Sequence, residues 1–378
     1  MRDRLPLLGD LAPLQGRSVL VRVDFNVPMS EGAAGDTQIV DDFRIRAALP
    51  TLRYLVDAGA TVTACSHLGR PDGPDPHLSL KPVAERLSSL LPEVKVLENL
   101  RFDPREKQGS LEFARELALG QDCFVNDAFG VCHREDASVV GLPRLLPSAA
   151  GLLVEQEVIH LERVRTDPVR PATAVLGGAK VSEKLALLMS LLERVDIVLV
   201  GGGMCFTFLA ASGLDVGSSL CEPEVIDECV KMLATGKVVV PIDICGLAQG
   251  QPFGPRGGAE DPLEFDGTPG AGYVGLDIGA KTAKKFSELI AGSKTVFWNG
   301  PMGVFEDPRF RAGTEAVAEA VAASREYTVV GGGDSVAALN SLGLADKVSY
   351  VSTGGGASLA YLEEGDLVGL RALRESSC

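Results

Sequence analysis

The sequence predicts an α/β protein built from two doubly wound parallel-sheet domains joined by a helix, with a cleft between them. Three observations predict it. The chain has 378 residues, more than one ordinary hydrophobic core accommodates. Short β-branched runs alternate with amphipathic stretches from end to end, the pattern of parallel sheets covered by helices. A long helical pattern interrupts the alternation and stops near Thr166-Asp167-Pro168, where proline ends a helix and marks a joint.

Taken in order, Ser18–Val23, 60–65, 94–97 and 123–126 read as strands, and 44–58, 81–91 and 111–119 space their apolar residues as helices. Residues 142–164 carry the long helical pattern. Beyond it, Ala172–Leu176, 196–200, 237–241, 295–298, 327–330 and 348–351 read as strands, with helices over 183–193, 223–234, 282–291 and 311–323. Residues 246–272, rich in Gly and Pro, read as a surface excursion of the second half. The expected division is a first domain over 1–150, a connecting helix over 151–167 and a second domain over 168–362.

Hydrophobic residues make up 46% and charged residues 23%, ordinary for a soluble globular protein. Lys and Arg total 36 against 51 Asp and Glu, a net charge of −15, which argues against nucleic-acid or anionic-membrane partners. Basic residues that serve an anionic ligand must therefore be gathered locally. The first sixteen residues lack the uninterrupted apolar stretch of a secretory signal, and no window approaches the roughly 20 apolar residues of a membrane span. A cytoplasmic protein is expected. None of the eight cysteines, Cys378 included, forms a Cys-x-x-Cys pair; buried reduced thiols are expected and a zinc site is not.

Ligands of open parallel sheets bind beyond the carboxyl ends of the strands, and the unusual residues follow strands. Gly201-Gly202-Gly203, Gly331-Gly332-Gly333-Asp334-Ser335 and Thr353-Gly354-Gly355-Gly356 are Gly-rich turns, and Leu176-Gly177-Gly178-Ala179-Lys180 adds a lysine with Lys184 a helical turn beyond. Each alone is the mark of a tight strand–helix connection. Four in one half of the chain, one with two lysines, point to a phosphate-rich ligand, because glycine lets backbone N–H groups approach phosphate and a helix N-terminus adds a favourable dipole. There is no G-x-x-x-x-G-K-[ST] and no well-placed G-x-G-x-x-G, so neither a P-loop protein nor an ordinary nicotinamide fold is indicated.

In the first half, strand ends deliver Asp24-Phe25-Asn26, Ser66-His67-Leu68-Gly69-Arg70, Asn99-Leu100-Arg101 and Asn126-Asp127-Ala128 with His133-Arg134, and Arg44 opens the first helix. Any one of these arginines reads as a solvated surface residue. Together Arg44, Arg70, Arg101 and Arg134 describe a single pocket for a small, highly charged anion, since Arg grips phosphate and carboxylate through paired N–H bonds.

At these residues the sequence resembles the phosphoglycerate kinase family. The resemblance rests on 21–28 (VRVDFNVP), 66–73 (SHLGRPDG), 98–102 (ENLRF), 126–130 (NDAFG), 176–181 (LGGAKV), 201–209 (GGGMCFTFL), 275–279 (GLDIG), 298–306 (WNGPMGVFE), 331–334 (GGGD) and 352–359 (STGGGASL), in family order and over nearly the whole chain. It implies a glycolytic enzyme that moves a phosphoryl group reversibly between ATP and the carboxylate of 3-phosphoglycerate. Asp24, Asn26, Arg44, His67, Leu68, Gly69, Arg70, Arg101 and Arg134 would hold 3-phosphoglycerate. Lys184, Gly275, Asn299, Glu306 and the turn Gly332, Gly333, Asp334, Ser335 would hold ATP or ADP, with Glu306 at the ribose and Asp334 near Mg2+. Lys180 and Asn299 would lie beside the phosphates. The family also returns its C-terminal tail to the first domain, which would place 363–378 there; a monomer is expected, though the sequence itself does not reveal the oligomeric state.

The chain departs from the family after Arg134, where Glu135-Asp136 replaces the usual Ala-His. Two carboxylates there would lower the positive potential, and they are expected to be drawn out of the substrate's field by pairing or by facing solvent. A carboxylate nucleophile, with a pKa of about 4, needs no general base. Positioning and electrostatics then carry the reaction, with Arg44 and Lys180 as the catalytic clamps and a hinge closure excluding water. The alternatives are a two-domain anion-binding protein, which leaves the paired lysines unexplained, and a nicotinamide dehydrogenase, which lacks its fingerprint after the first strand.

Overall fold

The structure, a computed structural model, describes residues 4–31 and 37–376. Two parallel sheets organise it. The first runs Lys95–Val96, Thr61–Cys65, Ser18–Val23, Cys123–Asp127, Ser148–Ala150, and the second Val238–Val239, Ile197–Val200, Ala172–Leu176, Thr295–Asn299, Tyr327–Gly331, Tyr350–Val351. Every neighbouring pair in both is parallel. In each sheet the earliest strand lies inside and the order reverses beside it, so each has a switch point where a ligand crevice belongs. In the first sheet it falls between Ser18–Val23 and Cys123–Asp127, in the second between Ala172–Leu176 and Thr295–Asn299.

The central strands are buried along their whole length, all five residues of Cys123–Asp127, Ala172–Leu176 and Thr295–Asn299. Such strands bury both faces and read as continuous apolar runs. Val19, Val21, Leu52 and Val125 belong to the first core, and Val175, Phe286, Trp298 and Val330 to the second.

Two expectations fail. Residues 142–164 are not one helix: Leu142–Arg144 is a 3-10 turn, Ser148–Ala150 an edge strand, and the helix is Leu152–Thr166. Pro143 and Pro147 remove backbone donors that a continuous helix needs. The helix start is instead tied down by Thr51 Oγ1, which accepts from Leu152 N at 2.9 Å, and by Asp127 Oδ1, which accepts from Leu153 N at 2.9 Å. Burial pushes the Asp127 carboxyl up to about 7. Residues 246–272 are not all excursion either. Leu263–Asp266 and Tyr273–Ile278 pair antiparallel with Asp243–Ala248 on either side.

The chain divides into two compact units, 1–159 with 356–378, and 160–355. The helices Gly356–Glu364 and Val368–Glu375 belong to the first unit. Tyr361 packs edge-on against Phe129 with ring centroids 6.1 Å apart, and Gly369 N donates to Cys132 O at 2.8 Å. The returning segment thus begins at Gly356, before Glu363, while Ser377 and Cys378 lie outside the described residues, as do Met1–Asp3 of the expected first domain. All seven described cysteines are free and six are buried; burial pushes the thiols of Cys65, Cys132, Cys229 and Cys245 up to about 12. Among the described residues no helix is long and apolar enough to cross a membrane.

Candidate active site

At the carboxyl edge of the first sheet, the loop after Thr61–Cys65 is pinned from three sides. Asn99 Oδ1 accepts from Leu68 N at 3.2 Å, Asn26 Oδ1 accepts from Gly69 N at 2.8 Å, and Arg101 Nη1 donates to Gly69 O at 2.7 Å. Asp24 pairs with Arg44. Burial opposes ionisation of Asp24, but the charges around it, Arg44 foremost, hold its carboxyl below the usual range.

His67 is buried, and its Nδ1 lies 3.2 Å from Arg22 Nη2. Arginine can only donate, so Nδ1 accepts and the ring proton sits on Nε2. The imidazole is neutral, its pKa driven well below 6.5 by burial first and by Arg22 next. An unfolded chain protonates this group near 6.5, so the unfolded state binds more protons below that pH and stability falls as the pH drops through it. The contribution is at most about 1.4 kcal/mol per pH unit. His67→Gln is expected to flatten the fall in urea midpoint between pH 7 and pH 5.5; an unchanged fall would place the acid lability elsewhere.

Arg22 itself was not among the expected site residues. It is fully buried, and its Nε donates to Ser138 Oγ at 2.8 Å, whose hydroxyl donates to the buried Glu106 Oε1 at 2.5 Å. The only signal for it was a charge inside an otherwise apolar strand, SVLVRV. Asn99, named at its strand end but given no role, caps Leu100–Phe102 and holds the His67 loop.

Arg101 is buried, and its pKa is lowered by burial first and by Arg134 next. Its Nε and Nη2 have no hydrogen-bond partner, nor does Arg134 Nε. Arg70 is exposed, and no described contact ties its side chain to the others. Glu135 is exposed, but Asp136 is neither in solvent nor hydrogen-bonded through Oδ2. It lies buried with that oxygen 4.0 Å from Arg101 Nη2, so Glu135 faces solvent as expected and Asp136 is paired, though with an arginine of the site itself.

The second sheet's edge is tighter. Lys184 Nζ crosses the switch point, donating to Gly177 O at 2.6 Å and to Asn299 Oδ1 at 2.7 Å. Burial brings its pKa down to about 8. Since lysine only donates, Oδ1 faces it and Asn299 Nδ2 points the other way, buried and without a partner. Gly332, at φ +90, passes so close that an added Cβ would lie 2.7 Å from that Nδ2. Its turn opens the helix Gly333–Ser341, whose first N–H groups lack helical acceptors, and Ser335 Oγ accepts from Gly300 N at 2.6 Å.

Lys180 is exposed, and none of the described hydrogen bonds or ion pairs holds its ammonium. The residues after it are fixed by Glu222, another that the sequence did not single out, which accepts from Val181 N at 2.6 Å and from Ser182 Oγ at 2.5 Å. Gly275 is buried, its N donating to Ser219 Oγ at 2.9 Å. Glu306 is exposed, in a loop joined to Gly275's strand by Val304 N donating to Leu276 O at 2.9 Å.

Asp334 is exposed in the first turn of its helix and acts electrostatically on Lys184. No group of three or more His, Cys, Asp or Glu that could hold a metal occurs among the described residues. A lone exposed carboxylate at a glycine-rich helix N-terminus fits magnesium, which is held by one or two carboxylates together with substrate phosphates and retains several waters.

A family model described as phosphoglycerate kinase matches residues 8–96 and 92–365. A phosphoglycerate kinase of Salinispora tropica is 48% identical over 392 residues, covering 95% of this chain and 96% of its own length. Another, from Thermus thermophilus, is 46% identical, with 97% and 99% covered. The structure of phosphoglycerate kinase from Coxiella burnetii superposes with a TM-score of 0.86 at 36% identity, over 98% of this chain and 99% of that one. That from Pyrococcus horikoshii gives 0.83 at 31%, over 98% of each. Matched along nearly its whole length by sequence and by fold, the chain belongs to the phosphoglycerate kinase family.

Proposed function

We propose that the first sheet's edge binds 3-phosphoglycerate, the second's binds ATP or ADP, and phosphoryl transfer runs between them. The observation that carries this is the set of buried donors without acceptors: Arg101 Nε and Nη2 and Arg134 Nε on one edge, Asn299 Nδ2 on the other. Leaving a buried donor unpaired costs about 1–3 kcal/mol, and an anionic ligand relieves that cost. Neutral His67, with its proton on Nε2, adds a donor. Asn26, Leu68, Gly69, Arg70 and the Asp24–Arg44 pair complete the substrate side.

The acceptor carboxylate is ionised at neutral pH and attacks without a base. Lys184, Asn299 and the N–H groups of Gly333, Asp334 and Ser335 hold the resting phosphates, with Gly275 and Glu306 at the nucleoside. Asp334 would hold magnesium, which supplies charge neutralisation on the phosphate oxygens when bound. Lys180 and Arg44 serve the group in flight, because Lys180 is exposed with no described hydrogen bond or ion pair, only the Glu222 charge acting nearby, and Arg44 is about a third exposed and, among the described residues, paired with Asp24. Donor and acceptor are carried by different units, so a closure about the helix Leu152–Thr166 is part of the proposal. Both ligand sets come from one chain, which supports a monomer. The net charge of −15 argues against nucleic acid or anionic membrane as partners, and the described cysteines, free and mostly buried, support a cytoplasmic site of action.

Calorimetric titration of Arg134→Ala tests the substrate half. Its dissociation constant for 3-phosphoglycerate is expected to rise by at least tenfold while that for ADP stays unchanged. An unchanged 3-phosphoglycerate affinity would mean that this edge serves another ligand.

A further inference from the structure

Asp136 places a carboxylate against the arginines of an anion site. Its Oδ2 is buried, lacks a hydrogen-bond partner and stands 4.0 Å from Arg101 Nη2, itself unpartnered. The gap is fixed by the backbone on both sides. Asp136 O accepts from Val139 N at 2.9 Å and Val140 N at 3.0 Å, Ala137 N donates to Glu106 O at 2.8 Å, and Arg101 is anchored through Nη1 on Gly69 O. Coulomb attraction falls only as 1/r, so most of it survives at this distance, whereas a hydrogen bond does not. A carboxylate one ångström nearer would occupy the donors that an incoming anion needs. Without Asp136, Arg101 would face Arg134 and Arg22 with only the weaker attraction of Glu106 to oppose them.

We propose that Asp136 is a standing counter-ion of Arg101, a positioning and affinity-setting residue. It balances the guanidinium's charge in the empty site without using its donors, and it opposes the bound anion, weakening the hold on phosphoglycerate and easing its release. The proposal rests on the reading of Arg101 as a substrate residue.

The test is 3-phosphoglycerate binding and steady-state kinetics for Asp136→Asn, Arg101→Met and the double variant. Asp136→Asn keeps the shape and removes the charge. It is expected to lower the dissociation constant and the KM for 3-phosphoglycerate about five- to tenfold, with the KM for ATP unchanged, and to lower the thermal midpoint. In the Arg101→Met background the same change is expected to alter binding by a different factor, because only the direct repulsion between Asp136 and the anion is left to remove; equal factors in the two backgrounds would show no coupling to Arg101 and overturn the counter-ion role. If Arg101→Met alone leaves 3-phosphoglycerate affinity unchanged, the substrate reading of Arg101 fails and the proposal with it. If Arg101→Met weakens binding but Asp136→Asn alters it less than twofold, the counter-ion role alone is overturned. Should Asp136→Asn fail to fold, the charge-free double variant is expected to fold; its failure would make Asp136 a purely structural residue of the turn and overturn the proposal.

Discussion

Lys180→Ala is expected to lower kcat by about two to three orders of magnitude, with the KM for ATP within a few-fold of the unaltered enzyme. Its ammonium is exposed and no described hydrogen bond or ion pair holds it, while Glu222, whose charge it feels, fixes the next residues Val181 and Ser182. A charge that meets the phosphoryl group only as it moves stabilises the transition state without strengthening the ground state. Lys184 offers the contrast. Its Nζ already bridges Gly177 O and Asn299 Oδ1, so Lys184→Ala leaves two acceptors unpaired, about 1–3 kcal/mol each if they stay buried. That variant is expected to lose stability, to raise the KM for ATP and to slow turnover. Steady-state kinetics with varied ATP separates the two. A large rise in KM with little change in kcat for Lys180→Ala would make it a ground-state phosphate contact.

Gly300→Ala is expected to cost roughly 3 kcal/mol or more of folding stability and to abolish nucleotide binding. Gly300 holds φ at +94, and an added Cβ would come within 2.3 Å of Gly177 O and 2.8 Å of Lys184 Nζ. The lysine tip can swing away, but the carbonyl cannot without moving the Gly177 turn. Its neighbours are interlocked, Gly177 N donating to Asn299 O at 2.9 Å and Gly178 N to Pro301 O at 3.1 Å. The Gly177 and Gly300 turns, to which the nucleotide phosphates are assigned in the proposal, would shift together. Urea unfolding and calorimetric titration with ADP check this; a variant of ordinary stability and affinity would mean that the turn is pliant and the proposed phosphate site not preorganised.

Strands buried on both faces were the most legible part of the fold. Ser18–Val23 and Ala172–Leu176 stand as expected because a short, mainly apolar run bounded by turn residues has few other uses. The stretch around Ser148–Ala150 misled because small apolar residues fit a helix and an edge strand alike, and only its two prolines argued otherwise. The antiparallel strands Asp243–Ala248 and Tyr273–Ile278 were hidden by the glycines within and between them.

Residues with chemistry at strand ends were readable because topology sends strand ends to one edge. His67, Arg101, Lys184 and Asn299 sit where that rule places them. Arg22, Glu106 and Glu222 were not readable, since their partners lie across long stretches of sequence, and Asn99 was named at its strand end but its hold on the Leu68 backbone was not. Arg22 reaches Ser138, Ser138 reaches Glu106, and Glu222 reaches back to Val181. Asp136 was visible as a departure from the family pattern, but its burial beside Arg101 follows from packing that sequence spacing does not encode.

The division of labour between the two sheet edges is tested most directly by amide hydrogen exchange of the whole enzyme with one ligand at a time. With 3-phosphoglycerate alone, protection is expected over residues 66–70, 99–102 and 132–136. With ADP and magnesium alone, it is expected over 177–184, 299–303 and 331–336. Protection of the glycine turns by 3-phosphoglycerate, or of the 66–70 loop by ADP, would contradict the account.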